Sequence, residues 1–235
     1  MKFLLFVFLL LCLIFASSNI SSASAKDSSL SEKQQAIVAI ASYMATGDIA
    51  NLKVAVNEGL DAGLTVNETK EVIVHLYAYC GFPRALNGLT AVNEVLAERQ
   101  AKGINNVVGA QSTPLPKDMN ILKFGTQVQT KISGAPVNLT ALSPAIDEFL
   151  KTHLFGDLFA RDVLTFQERE ISTISALASM NGTESQFLSH IKAGYNVGLS
   201  AEQLQDIVNT LDIKVSSQIA EKAQPILDNF LATIK

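Results

Sequence analysis

The sequence predicts an all-α fold, and three observations carry that expectation. Apolar residues recur at four-residue spacing, as in Leu52, Val56 and Leu60, which stacks them on one helical face. Helix-start signals recur too: Thr65 stands three residues before Glu68 and Ser200 three before Gln203, the pattern of a capping box. Strand signals, meaning short alternating runs between turns, are scarce throughout.

The chain opens on what reads as an address. Lys2 precedes an apolar run from Phe3 to Phe15, followed by a polar stretch ending Ala23-Ser24-Ala25. That order matches a secretory signal over residues 1–25, so the expected product is exported, periplasmic or secreted, after cleavage near Ala25. Cys12 would leave with the signal, and Cys80 alone cannot form an intrachain disulfide. Stability must then come from packing, for which a hydrophobic content of 48% is ample. No later run is long enough to span a bilayer, so no membrane association is expected once the signal is gone. A formal net charge of −4 with no basic stripe excludes nucleic acid as a partner.

The helices follow in order. Gln34 to Ala45 is apolar and alanine-rich and is punctuated by Gly47-Asp48. Ile49 to Ala62 carries the Leu52 stripe, and Gly63 closes it as a C-terminal cap. The helix that Thr65 opens carries Tyr79 and Cys80 and ends before Pro83, and Ala85 to Gln100 forms the next. From Lys102 to Val137 the periodicity weakens, broken by Gly103, Pro114, Pro116, Gly134 and Pro136.

An internal repeat organises these pieces. Under one constant shift Gly47 falls on Gly182, Gly59 on Gly194, Gly63 on Gly198, and Leu64-Thr65 on Leu199-Ser200. The chain therefore divides into a first repeat (26–102), a connecting segment (103–137) and a second repeat (138–235).

Two stretches carry a family resemblance. One is F-G-D-L-F-A-R-D-V-L-T-F-Q-E-R-E-I from Phe155 to Ile171, followed by His190 and by Gly198-Leu199-Ser200. The other is H-L-Y-A-Y-C-G-F-P-R-A-L-N from His75 to Asn87. Their order and spacing resemble the carboxymuconolactone decarboxylase family within the AhpD-like superfamily, here as a two-repeat exported member. The resemblance implies an all-α helical fold and ring-like homo-oligomers, trimers for two-repeat chains. The thiol-peroxidase branch of that superfamily carries Cys-x-x-Cys before its histidine. Thr183 and Gln186 occupy those positions here, so that branch's nucleophile is missing.

The candidate chemistry rests on few residues. His190 sits where the family places a histidine, and an imidazole suits proton transfer near neutral pH. Glu170, on the preceding helix, can orient or protonate it. Arg169 and Arg161 can grip a substrate carboxylate through two-pronged hydrogen bonds, or form inter-helix ion pairs. His75 and Tyr79 share a helical face and either line a pocket or pack in an interface. Cys80 reads as a small buried hydrophobe, Glu68 and Glu71 as a cap and a solvated face, and His153 as structural. Three scattered histidines and one cysteine make no metal ligand set, and no cofactor is expected.

The expected function is that of a cofactor-independent lyase or isomerase on a small carboxylated lactone or ring acid, a decarboxylase by resemblance. Two alternatives stand beside it: a peroxidase-type activity relying on lone Cys80, and a non-catalytic exported binding protein of the same fold.

Overall fold

A computed structural model describes residues 29–234. The stretch expected to be a signal, residues 1–25, lies outside the described residues. Ten α-helices and one π-helical segment make up the described chain, which contains no strand. They run α1 (Glu32–Thr46), α2 (Ile49–Asp61), α3 (Val66–Cys80), α4 (Phe82–Ala101), α5 (Ile121–Ser133), α6 (Pro144–Phe149), the π-helical segment (Leu150–Leu158), α7 (Phe166–Ser179), α8 (Glu184–Asn196), α9 (Ala201–Lys214) and α10 (Ser217–Thr233).

Local signals account for the boundaries. Thr65 and Ser200 each close a capping box, with Glu68 and Gln203 reaching back to the cap nitrogen. Ser31 with Gln34 and Thr165 with Glu168 do the same for α1 and α7. Gly63 and Gly198 follow α2 and α8 at φ of +94° and +101°, a left-handed turn that a side chain would strain. Pro83 lies in the first turn of α4, where no intrahelical N–H is needed, rather than after the end of α3; Gly81 makes that break.

The core is built on α1 against α7. Both are buried on nearly every face, α1 from Ala36 through Ser42 and α7 from Arg169 through Leu177. A helix buried all round must carry small or apolar side chains where backbones meet, and the alanines of α1 and the serines and threonines of α7 supply them. The hydroxyls of Ser42 and Ser179 meet across this contact at 2.6 Å. Around the pair, α2 packs on α1, α8 on α7, α3 between α4 and α7, and α9 between α10 and α1.

The segment expected to connect the halves contains a helix. α5 lies within 103–137, and its Val128 and Ile132 form a second apolar cluster with Leu154, Phe155 and Leu158 of the π-helical segment, Phe159 just after it and Ala193 of α8. Threonines, glutamines and Gly125 mask its periodicity in sequence. Gly125 is required because α5 docks there by backbone approach: a Cβ on it would sit 1.7 Å from the Lys151 carbonyl oxygen. The preceding stretch is pinned to α3, whose first amides, on Val66 and Asn67, donate to the Val107 and Val108 carbonyls at 2.9 Å each.

Candidate functional site

One face of α3 assembles the site. Glu71, His75 and Tyr79 recur every four residues and so line a single stripe facing α7. From α7 come Arg169, Glu170 and Thr173, from α8 His190, and from the turn after the π-helical segment Phe159 and Arg161. All six residues expected to carry chemistry are thus brought into one polar cluster buried against the core, although their partners differ from expectation.

Glu71 is the main correction. Read in sequence as part of a solvated face, it is 3% exposed and holds both arginines. Arg161 donates from Nε to Oε1 and Oε2 at 2.8 and 3.0 Å and from Nη2 to Oε2 at 2.9 Å. Arg169 donates from Nη2 to Oε1 at 2.8 Å and to the Arg161 carbonyl at 2.5 Å. The carboxylate that these arginines grip is therefore the chain's own. Arg169 is 0% exposed, and burial lowers its guanidinium pKa while Glu71 opposes that shift. Arg161 keeps 38% of its side chain exposed, and its hydrogen bonds to Glu71 hold its pKa up. It faces an open hollow of about 370 Å³ shared with Lys70, Gln111 and Ser112. Glu71 and Tyr79 are eight residues apart, roughly 12 Å along the helix at the usual rise. Arg161 thus stands at the Glu71 end of the stripe and His190 at the Tyr79 end.

The second half of the cluster is a histidine–carboxylate pair. His190 Nδ1 lies 2.7 Å from Glu170 Oε2, with Glu170 0% and His190 16% exposed. A carboxylate on Nδ1 fixes the ring so that Nε2, which bonds to no described residue, is the nitrogen left to exchange protons. The Tyr79 ring packs edge-on against His190 at 5.3 Å and tilted against His75 at 5.5 Å. Burial, then the Glu170 charge, pushes the Tyr79 hydroxyl pKa far up, so it remains a proton-bearing donor.

His75 is wholly buried and its partners define its tautomer. Thr173 Oγ1 donates its one hydrogen to the Arg169 carbonyl at 2.9 Å, so it must accept from His75 Nε2, also at 2.9 Å. His75 Nδ1 then carries a lone pair and no proton. Burial, followed by the Arg169 and His190 charges, pushes the His75 pKa well below its ordinary value, which keeps the ring neutral.

Cys80 is buried at the end of α3, and desolvation pushes its thiol up to about 11. Thr183 and Gln186, at the positions of the absent cysteine pair, make local contacts only: Thr183 Oγ1 donates to the Leu177 carbonyl at 2.8 Å and Gln186 accepts from Ser185. His153 pairs with Asp157 at 2.8 Å, away from the cluster. Among the described residues no group of three His, Cys, Asp or Glu side chains is placed to hold a metal ion. Sequence reasoning missed Glu71, Thr173 and Phe159. The first two had a signal, since each stands four residues from a residue that was singled out, His75 and Arg169.

The all-helical architecture of the described residues is consistent with the AhpD-like superfamily. The model of the Carboxymuconolactone decarboxylase family matches residues 17–94, and over that stretch the chain is similar to that family. The match covers α1 to α3 with most of α4, and hence Glu71, His75, Tyr79 and Cys80, but not the arginines, Glu170 or His190. Peroxisomal protein 2 of Saccharomyces cerevisiae (strain ATCC 204508 / S288c) is similar, at 25% identity over 162 residues. The alignment takes in 59% of this chain and 57% of that protein, so the chain spans less than two thirds of this relative. Among the described residues no helix is long and apolar enough to cross a membrane.

Proposed function

We propose that the protein is a cofactor-independent lyase or isomerase that moves a proton on a small carboxylated lactone or ring acid. The observation that carries this reading is the His190–Glu170 pair, a buried carboxylate on Nδ1 of an imidazole whose Nε2 is unpartnered and partly exposed. In an isomerisation, Nε2 takes a proton from carbon and returns it at another carbon. In a decarboxylation, the carbon–carboxylate bond breaks, its electron pair enters the conjugated carbonyl to give an enolate, and the imidazolium supplies the proton that quenches it. Arg169 Nε and Nη1 and the Tyr79 hydroxyl, buried and without hydrogen bonds, are the donors suited to the developing oxyanion. Arg161, pinned to Glu71 at the far end of the stripe, positions Arg169 rather than substrate.

The same geometry weighs against a Cys80 peroxidase. A thiol at about 11 is ionised to only about one part in ten thousand at neutral pH, and the thiolate is the reactive form. A binding protein that has kept the fold without catalysis remains the second reading, favoured by the closure of Arg169 from solvent. The proposal extends to export after cleavage near Ala25, to two tandem repeats and to a homotrimer. The repeats are supported by the helix starts: α2, α3 and α4 begin at Ile49, Val66 and Phe82, and the constant shift carries these onto Glu184, Ala201 and Ser217, the first residues of α8, α9 and α10.

The test offers purified protein a panel of carboxylated muconolactones and related ring acids, followed by ultraviolet absorbance and carbon dioxide release. Turnover is expected to fall by about 10²–10⁴ in His190→Ala. Turnover on none of the panel would favour the binding protein, and undiminished turnover in His190→Ala would move the chemistry elsewhere.

A further inference from the structure

The open hollow beside Arg161 is held in shape by hydrogen bonds. One wall is a stripe of α3 on which Asn67, Lys70, Glu71 and Val74 recur at helical spacing. Gln111 and Ser112 form another wall, and Arg161 and Val163 complete the lining. The segment carrying Gln111 and Ser112 is tied down on both sides. Before it, Asn67 Nδ2 donates to the Gly109 and Ala110 carbonyls at 3.0 and 3.1 Å. After it, Thr113 donates to Asp162 from its amide at 2.8 Å and from its hydroxyl at 2.6 Å. A hollow preformed in this way lowers the ordering cost of a ligand that enters it.

The cations of this hollow have donors left over. Arg161 meets Glu71 with one edge of its guanidinium, formed by Nε and Nη2. The other edge, Nη1 with the second hydrogen of Nη2, makes no hydrogen bond among the described residues. Lys70, half-buried on the same wall, has neither an ion pair nor a hydrogen bond there. The neighbouring carboxylates are already engaged: Glu71 accepts from both arginines, and Asp162 from Thr113. Two N–H groups on one guanidinium edge match a carboxylate fork to fork, and an ammonium in the same hollow adds a second charge contact.

A second hollow extends the first. It holds about 320 Å³, shares Val74, Ser112 and Arg161 with it, and gains apolar lining from Pro114, Leu115 and Leu158. Asp157 also lines it, so an anionic group is disfavoured there and an uncharged chain is not.

We infer that the two hollows form one binding site for a short aliphatic carboxylate. Its head lies on the free edge of Arg161 and on Lys70, and its chain lies along Val74, Leu115 and Leu158. The site stands at the Glu71 end of the α3 stripe, uses neither His190 nor Glu170, and is independent of the chemistry proposed for that pair.

Calorimetric titration of the full chain with hexanoate, acetate and 1-hexanol tests this. Hexanoate is expected to bind at least about tenfold tighter than acetate, because its chain buries apolar surface. It is also expected to bind tighter than hexanol, which brings no charge to the head site. Lys70→Gln, at a side chain without partners among the described residues, is expected to weaken hexanoate about fivefold. Leu115→Ser is expected to weaken hexanoate and leave acetate unchanged, and His190→Ala to leave both unchanged, with folding of each variant checked by circular dichroism. Absence of hexanoate binding at millimolar concentration overturns the inference, as does equal affinity for hexanoate and hexanol. Hexanoate affinity that is unchanged in Lys70→Gln or in Leu115→Ser overturns it too. Binding lost in His190→Ala and kept in Lys70→Gln would place the acid at the other end of the stripe and overturn it as well.

Discussion

Glu71 Oε1 accepts a 2.8 Å hydrogen bond from Arg169 Nη2, joining α3 to α7 through side chains 3% and 0% exposed. The chelating contact from Arg161 lies on the same carboxylate, so one anion serves two cations. Such an arrangement costs desolvation to form and is expensive to break from one side only.

Glu71→Gln is accordingly expected to cost about 3–5 kcal/mol, because Arg169 would remain buried without its counter-ion. Arg161→Ala, at a side chain 38% exposed, is expected to cost about 1 kcal/mol after solvent screening. Urea unfolding of both variants checks the ranking. A Glu71→Gln protein as stable as wild type would show that the pair is not holding the helices together.

Acid should weaken the fold through His75. Its folded pKa lies well below 6.5 and its unfolded pKa near that value, so below about pH 6.5 the unfolded chain binds a proton that the folded chain refuses. The stability contribution is therefore present above about 6.5 and is lost as pH falls from there towards the folded pKa, by at most about 1.4 kcal/mol per unit. Urea midpoints between pH 7 and 5 should fall less steeply in His75→Gln than in wild type. Parallel slopes would mean that His75 already titrates in the folded protein.

Cys80 should behave as a packed hydrophobe. With its thiol at about 11, alkylation of native protein at pH 8 should be slow and should accelerate as pH approaches 11. Peroxide consumption should be the same in wild type and Cys80→Ser. A fast reaction at neutral pH that is lost in the serine variant would restore the peroxidase reading.

Gly125→Ala should undock α5. The new methyl would meet Lys151 O at 1.7 Å and Gly156 N at 2.8 Å, and both are backbone atoms that cannot rotate away. A loss of at least about 1–3 kcal/mol is expected. Hydrogen exchange should show faster exchange in α5 and the π-helical segment, with α1 and α7 unchanged. Even loosening of all helices would argue against α5 as a separately docked element.

Much of the fold was legible because it is written locally. Thr65 with Glu68 and Ser200 with Gln203 place helix starts by contacts three residues apart, and Gly63 and Gly198 mark ends by a backbone angle that other residues avoid. α5 was hidden because its stability comes from docking. With Gly125 and four threonine or glutamine side chains among thirteen residues, its own sequence argues weakly for a helix.

An all-α protein and the positions of most helices follow from periodicity and from capping contacts within one turn, and a family resemblance points to a short set of residues able to do acid–base chemistry. What these side chains face is set by how the helices pack. Glu71 turned out to be the anion of the site and not a solvated glutamate, because Arg169 stands 98 residues away in sequence and 2.8 Å away in space. His75 is kept neutral by burial and then by the Arg169 and His190 charges, and its Nε2 meets the Thr173 hydroxyl of another helix at 2.9 Å. Partners at that separation leave no local pattern, since the free energy that selects them, burial of charge against its counter-ion, exists only once α3 and α7 are packed.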